Sequence, residues 1–111
     1  MQTFTEHDLD RIFQALSDPT RRAILHQVAD REQSISEIAK PHDLTFAAIS
    51  KHLKVLEAAH LVDRRKNGSF QMITLNPEAL KSADQWLKYY QQFWSSRLAA
   101  LKSLIEEQEK P

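Results

Sequence analysis

The stretch SISEIAKPHDLTFAAISKHLKVLEAAHLVDRRKNGSFQMITL, residues 34–75, decides how this chain folds. Ser34-Ile35-Ser36-Glu37 has the form of a capping box, in which a serine hydroxyl and a glutamate three residues on each satisfy a free backbone N–H. It opens a short helix through Ile38 and Ala39 that Pro41 closes. Leu44 then leads into Thr45 as an N-cap, and Ile49, Leu53 and Leu56 fall at i, i+4 and i+7, the apolar stripe of a helix from Thr45 to Ala58. After Leu61 the period changes. Val62 to Lys66 and Ser69 to Leu75 are β-compatible runs joined by Asn67-Gly68, which predicts a hairpin with a type I′ turn. A short helix, a turn of about four residues, a longer helix and a hairpin together predict a winged helix-turn-helix.

The flanks supply three more helices. Thr5 can cap the first, with Asp8 three residues on, and Leu9, Ile12, Phe13 and Leu16 recur at helical spacing. Ser17-Asp18-Pro19 stops that helix and starts the next, which buries Ile24, Leu25 and Val28. Asn76-Pro77 begins the last helix, where Leu80, Leu87, Tyr90, Trp94, Leu98, Leu101 and Ile105 lie along one side and Trp86, Tyr89 and Phe93 widen it. A helix apolar beyond its own domain's needs meets a partner chain. The expected architecture is mainly α with a small β-hairpin wing. It comprises five helices in one domain over 1–111, with a winged helix-turn-helix core over 5–75 and a C-terminal dimerisation helix over 77–110.

Composition excludes several classes of function. A chain without cysteine has no disulfide, thiolate metal site or thiol redox chemistry. The five histidines, His7, His26, His42, His52 and His60, never fall three or four residues apart, so no helical metal pair is expected. With Gly68 as the single glycine, no phosphate-cradling loop can be written, and no serine sits in a nucleophile elbow. Neither a cofactor nor catalysis is therefore expected. The N-terminus has no basic region followed by an apolar run, and no run of eighteen apolar residues occurs, so the expected location is the cytoplasm, at the bacterial nucleoid, with no membrane partner. The formal charge of zero divides unevenly: residues 1–39 carry −3, residues 40–71 carry +3 and residues 72–111 are balanced. A basic middle between acidic and neutral flanks suggests a local anion-binding surface.

That surface coincides with the second helix of the helix-turn-helix. Opposite Ile49, Leu53 and Leu56 stand Ala47, Lys51 and Lys54, with Ser50 at the flank and Thr45 at the N-terminus. A major groove about 12 Å wide admits a helix with short residues where the backbone approaches and Lys, Ser or Thr to meet phosphates and base edges. Taken alone, two lysines on an exposed helix only solvate it; their position, beside Arg64-Arg65-Lys66 at the tip of the hairpin, points to double-stranded DNA. His52 sits to the side of the wheel as a packing or phosphate-facing residue, and Phe46 is read as packing on the turn rather than touching a thymine methyl group. Arg21 and Arg22 begin a helix where cations are unfavourable unless paired, so Asp18 is the expected partner. A second reading stays open: a winged-helix module that binds protein and not DNA, in keeping with the zero net charge.

The segments LSDPTRRAIL (16–25), SISEIA (34–39), AISKHLKVLEAAHLV (48–62) and RRKNGSFQMITL (64–75) together resemble the ArsR family of bacterial repressors, over about residues 9–75. The resemblance implies a homodimer on a palindromic operator, with repression relieved by a small-molecule or protein effector whose identity is not written in the residues. It carries DNA contacts onto Thr45, Ala47, Ser50, Lys51, His52 and Lys54, and onto the wing at Arg64, Arg65, Lys66, Asn67, Gly68 and Ser69. It places the dimer interface on the first and last helices, at Leu9, Phe13, Leu80, Trp86, Leu87, Tyr90, Phe93, Trp94, Leu98, Leu101 and Ile105. The chain departs from the family's metal sensors in lacking their cysteines and C-terminal histidines. His60 and Asp43 stand where the family has glycines, so both are expected in left-handed conformations, at about 1 kcal/mol each.

Overall fold

The computed structural model describes residues 6–109, so the Thr5 cap and the outer ends of the expected 5–75 and 77–110 segments lie outside the described residues. In chain order the elements are α1 (Glu6–Leu16), α2 (Pro19–Ala29), β1 (Gln33–Ser34), α3 (Ile35–Ala39), α4 (Phe46–Ala58), β2 (Val62–Asn67), β3 (Phe70–Leu75) and α5 (Pro77–Glu109). The strands form one antiparallel sheet in the order β1-β3-β2. β1, which the sequence did not announce, pairs Gln33 with Ile73 and Ser34 with Met72 and so ties the wing to the start of α3. The core is one cluster whose fully buried members are Ile12, Ile24, Ile38, Ile49, Leu53, Leu56, Leu61 and Ile73.

Caps set most of the boundaries. Asp18 accepts from the Arg21 backbone N–H at 3.0 Å at the start of α2. Ser34 and Glu37 complete the reciprocal capping box, at 3.2 and 3.1 Å. Thr45 Oγ1 accepts from Ala48 N–H at 3.1 Å, and Asn76 Oδ1 from Glu78 N–H at 3.1 Å. At the end of α4 the N–H of Leu61 reaches the Leu56 carbonyl and that of His60 the Glu57 carbonyl, both at 3.0 Å. This is the Schellman pattern. It requires a left-handed residue at His60, whose φ is 60°. Asp43 does not share that conformation, since His60 is the single non-glycine residue with positive φ among the described residues.

Two boundaries differ from expectation. The connection between α3 and α4 spans residues 40–45, longer than four, and is held by a side-chain relay. In that relay His42 Nε2 donates to Gln27 Oε1 at 2.7 Å, while Gln27 Nε2 donates to the Ile38 carbonyl at 3.1 Å. In the wing, Asn67 pairs with Phe70, so the two-residue loop is Gly68-Ser69 rather than Asn67-Gly68. Only Gly68 has positive φ there, +62°. A single left-handed residue at the first loop position is the type II′ arrangement, for which Gly-Ser is itself a signal.

Candidate nucleic-acid interface

The burial of Ile49, Leu53 and Leu56 fixes how α4 is rotated. Their side chains leave no accessible surface, so the opposite side faces out: Thr45, Ala47, Lys51 and Lys54 are exposed and Ser50 is half-buried. Lys51 and Lys54 make no hydrogen bond or ion pair with any described residue, so their charges are available to an external anion. Phe46 does not pack as expected. It is 59% exposed on the first turn of α4.

His52 is held inward. Its Nδ1 lies 3.3 Å from Arg21 Nη1 and 3.8 Å from Asp18 Oδ2. The remaining nitrogens of Arg21 end on α1, with Nε donating to the Ala15 carbonyl at 2.8 Å and Nη2 to the Gln14 carbonyl at 3.0 Å. Arg22 Nη1 likewise donates to the Leu16 carbonyl at 2.8 Å. Both arginines thus satisfy carbonyls at the C-terminal end of α1, where a cation also complements the helix dipole. Asp18 meets Arg21 chiefly through the backbone. That N–H, reinforced by the charge of Arg21, holds the Asp18 carboxyl below the usual carboxylate range.

A family model described as a helix-turn-helix domain matches residues 16–65. An HTH-type transcriptional regulator of Mycobacterium tuberculosis, Rv2034, is 35% identical over 89% of this chain and 90% of its own length. The solved structure of an ArsR family transcriptional regulator superposes with a TM-score of 0.76, is 33% identical, and covers 86% of this chain and 98% of its own. The chain belongs to the ArsR family of DNA-binding transcriptional regulators. Within that family it is also similar to an ArsR-like regulator from Rhodococcus sp. RHA1, with a TM-score of 0.69, 34% identity, and coverage of 88% and 92% of the two chains. The transcriptional repressor SdpR of Bacillus subtilis is 30% identical over 71% of this chain and 88% of its own length.

The wing of this ArsR-family chain presents its cations unequally. Arg64 lies well below the tip, and its Nε and Nη2 donate to the two oxygens of Glu57 at 2.7 and 3.2 Å. Arg65, on the other face of β2, makes a similar fork with Glu32, Nε donating at 3.1 Å and Nη2 to the second oxygen. Lys66 alone of the three has no partner among the described residues and stands next to the loop, beside Asn67, Gly68 and Ser69. The sequence does not reveal these pairings, because Glu32 is 33 residues from Arg65 and no local pattern links them.

The residues expected at a dimer interface fall into two groups. Leu9 is half-buried, and Leu80 packs against the chain's own core. Phe13 and Trp86 meet edge to face at 5.6 Å between α1 and α5. From Trp86 onward the large apolar side chains of α5, Leu87, Tyr90, Phe93, Trp94, Leu98, Leu101 and Ile105 among them, are all exposed. Among the described residues no group of His, Asp and Glu is placed to hold a metal ion, and no helix is long and apolar enough to cross a membrane.

Proposed function

We propose that this ArsR-family regulator represses transcription as a homodimer bound to an inverted-repeat operator. Residues 5–75 form the DNA-binding unit of each protomer, and 77–110 form the dimerisation helix. The single observation that carries this reading is the rotation of α4, which buries Ile49, Leu53 and Leu56 completely and leaves Ala47, Lys51 and Lys54 open. Thr45 and Ala47 are short enough to let the helix N-terminus approach base edges, while Ser50, Lys51 and Lys54 supply donors. Lys66 and the Asn67-Gly68-Ser69 loop reach the flanking phosphates or minor groove. Two-fold symmetry of the dimer then calls for half-sites about one helical turn apart, roughly 34–36 Å. The chain acts in the cytoplasm, at the bacterial nucleoid, and catalyses no reaction. Its DNA affinity is set by a small-molecule or protein effector.

The test is a binding titration across salt on the palindromic DNA upstream of its own gene. Binding is expected to weaken linearly in log–log form, each neutralised phosphate adding about 0.9 to the slope. Lys51→Glu combined with Lys54→Glu is expected to abolish binding while leaving the helical content unchanged, since both side chains point into solvent. Absence of binding by the unaltered chain, or binding indifferent to salt, overturns the proposal.

A further inference from the structure

We infer that Arg21 is a positioning residue of the DNA interface, holding the imidazole of His52 as its Nε2–H tautomer so that α4 offers DNA a neutral N–H donor. The inference rests on the reading of α4 as the helix that meets DNA. Its geometry starts at α1. Two arms of the Arg21 guanidinium are occupied by the carbonyls of Ala15 and Gln14, at 2.8 and 3.0 Å, so the planar group is fixed from the α1 side. The third arm, Nη1, is left 3.3 Å from His52 Nδ1. Arginine has only donors, so Nδ1 must be the acceptor and the ring proton must sit on Nε2.

The far side of the ring is open. Among the described residues nothing hydrogen-bonds Nε2, and no buried side-chain nitrogen or oxygen lacks a partner, so Nε2 reaches solvent although the His52 side chain is only 22% exposed. His52 flanks the exposed sector of α4 that carries Lys51 and Lys54. The Nε2–H donor therefore lies at the edge of the DNA-facing surface, where its target is a hydrogen-bond acceptor, either a phosphate oxygen or an acceptor on a base edge. The competing tautomer, with Nδ1–H directed at Asp18 Oδ2 3.8 Å away, brings two donors face to face at Arg21 and leaves a bare acceptor pointing outward.

Two measurements test this on the full-length chain. Long-range nitrogen–proton NMR of histidine-labelled protein is expected to show Nδ1 bare and Nε2 protonated at His52, and the Arg21→Gln variant is expected to lose that preference. The second measurement uses the duplex that the unaltered chain selects from a randomised library. His52→Asn keeps an acceptor near the Nδ1 position and loses the outer donor, so it is expected to bind about five- to tenfold more weakly; His52→Gln, which restores an outer amide N–H, is expected to recover part of that affinity. Arg21→Gln is expected to weaken binding in the unaltered background and to add nothing to His52→Asn. A loss confined to one base position assigns the acceptor to a base, and a uniform loss across sequences assigns it to phosphate. Thermal melting of each variant separates these losses from unfolding. A proton on Nδ1, or His52→Asn binding as tightly as the unaltered chain, overturns the inference while leaving the DNA reading intact. A chain that selects no duplex overturns both.

Discussion

At the scale of single residues, His60 shows how an ordinary side chain can stand in a glycine position. The Schellman closure of α4 needs φ near +60°, and His60 supplies it at the expense of a close approach between its Cβ and the neighbouring carbonyl. His60→Gly is therefore expected to stabilise the fold by about 0.5–1 kcal/mol in urea denaturation, the relief of strain exceeding the extra freedom glycine gains when unfolded. An unchanged or lower midpoint would mean that His60 carries no strain. Asp18 and Glu37 make the opposite kind of contribution. Glu37 is held below the usual carboxylate range by the Ser34 backbone N–H and the Ser34 hydroxyl, as Asp18 is by Arg21 N–H. A carboxylate with a depressed folded pKa stabilises the fold above its unfolded value, and that contribution fades as pH falls through the folded value. Below about pH 4 the unaltered chain is expected to lose stability more steeply than the pair Asp18→Asn with Glu37→Gln, which keeps both caps without a titrating group. Parallel melting curves between pH 7 and pH 3 would remove both carboxylates from the account.

At the scale of elements, what was legible depended on how locally each feature is encoded. The stripe Ile49, Leu53, Leu56 and the caps at Asp18, Ser34, Thr45 and Asn76 are all written within a single turn or two of chain, and the helices stand where those residues place them. β1 was not legible because Gln33 and Ser34 become a strand only by pairing with Met72 and Ile73, and Ser34 also reads as a cap. The exposed face of α4 was legible, since it follows from the stripe. The wing arginines were not: Arg64 and Arg65 read as free cations until Glu57 and Glu32 are brought against them by the tertiary fold. The distinction has a measurable consequence. Lys66→Ala is expected to lower the salt slope of DNA binding by about one for each phosphate it neutralises, whereas Arg64→Ala leaves the slope nearly unchanged and lowers the melting temperature slightly, an exposed ion pair contributing at most about 1 kcal/mol. If Arg64→Ala produces the larger fall in slope, then Arg64 leaves Glu57 for phosphate when DNA binds.

At the scale of the whole molecule, α5 is what makes the chain long. Its 33 residues extend about 50 Å at 1.5 Å per residue, and the longest dimension is 66 Å. The radius of gyration, 18.8 Å, exceeds the roughly 13 Å expected of a compact chain of this length. Only Ala79 and Ala83 of this helix are buried, so its distal part lies beyond the core that its first turns cover. There Trp94, Leu98, Leu101 and Ile105 repeat at 4-3-4 spacing, the seam of a helix packed against another helix, and each is about half exposed or more. Burying eight such side chains, four from each protomer, at roughly 1.5 kcal/mol each gives on the order of 12 kcal/mol before the entropic cost of association, a surplus small enough for two charges per protomer to cancel. Trp94→Glu with Leu98→Glu is therefore expected to convert a species of about twice the 12.9 kDa chain mass into a monomer in sedimentation equilibrium. The helical content should survive, because neither side chain contributes to the chain's own core. DNA binding should weaken with it, since separate protomers no longer gain the second half-site at high effective concentration. If the unaltered chain itself sediments as a 12.9 kDa monomer, the apolar face of α5 is not a dimer seam, and the two-fold operator loses its structural basis.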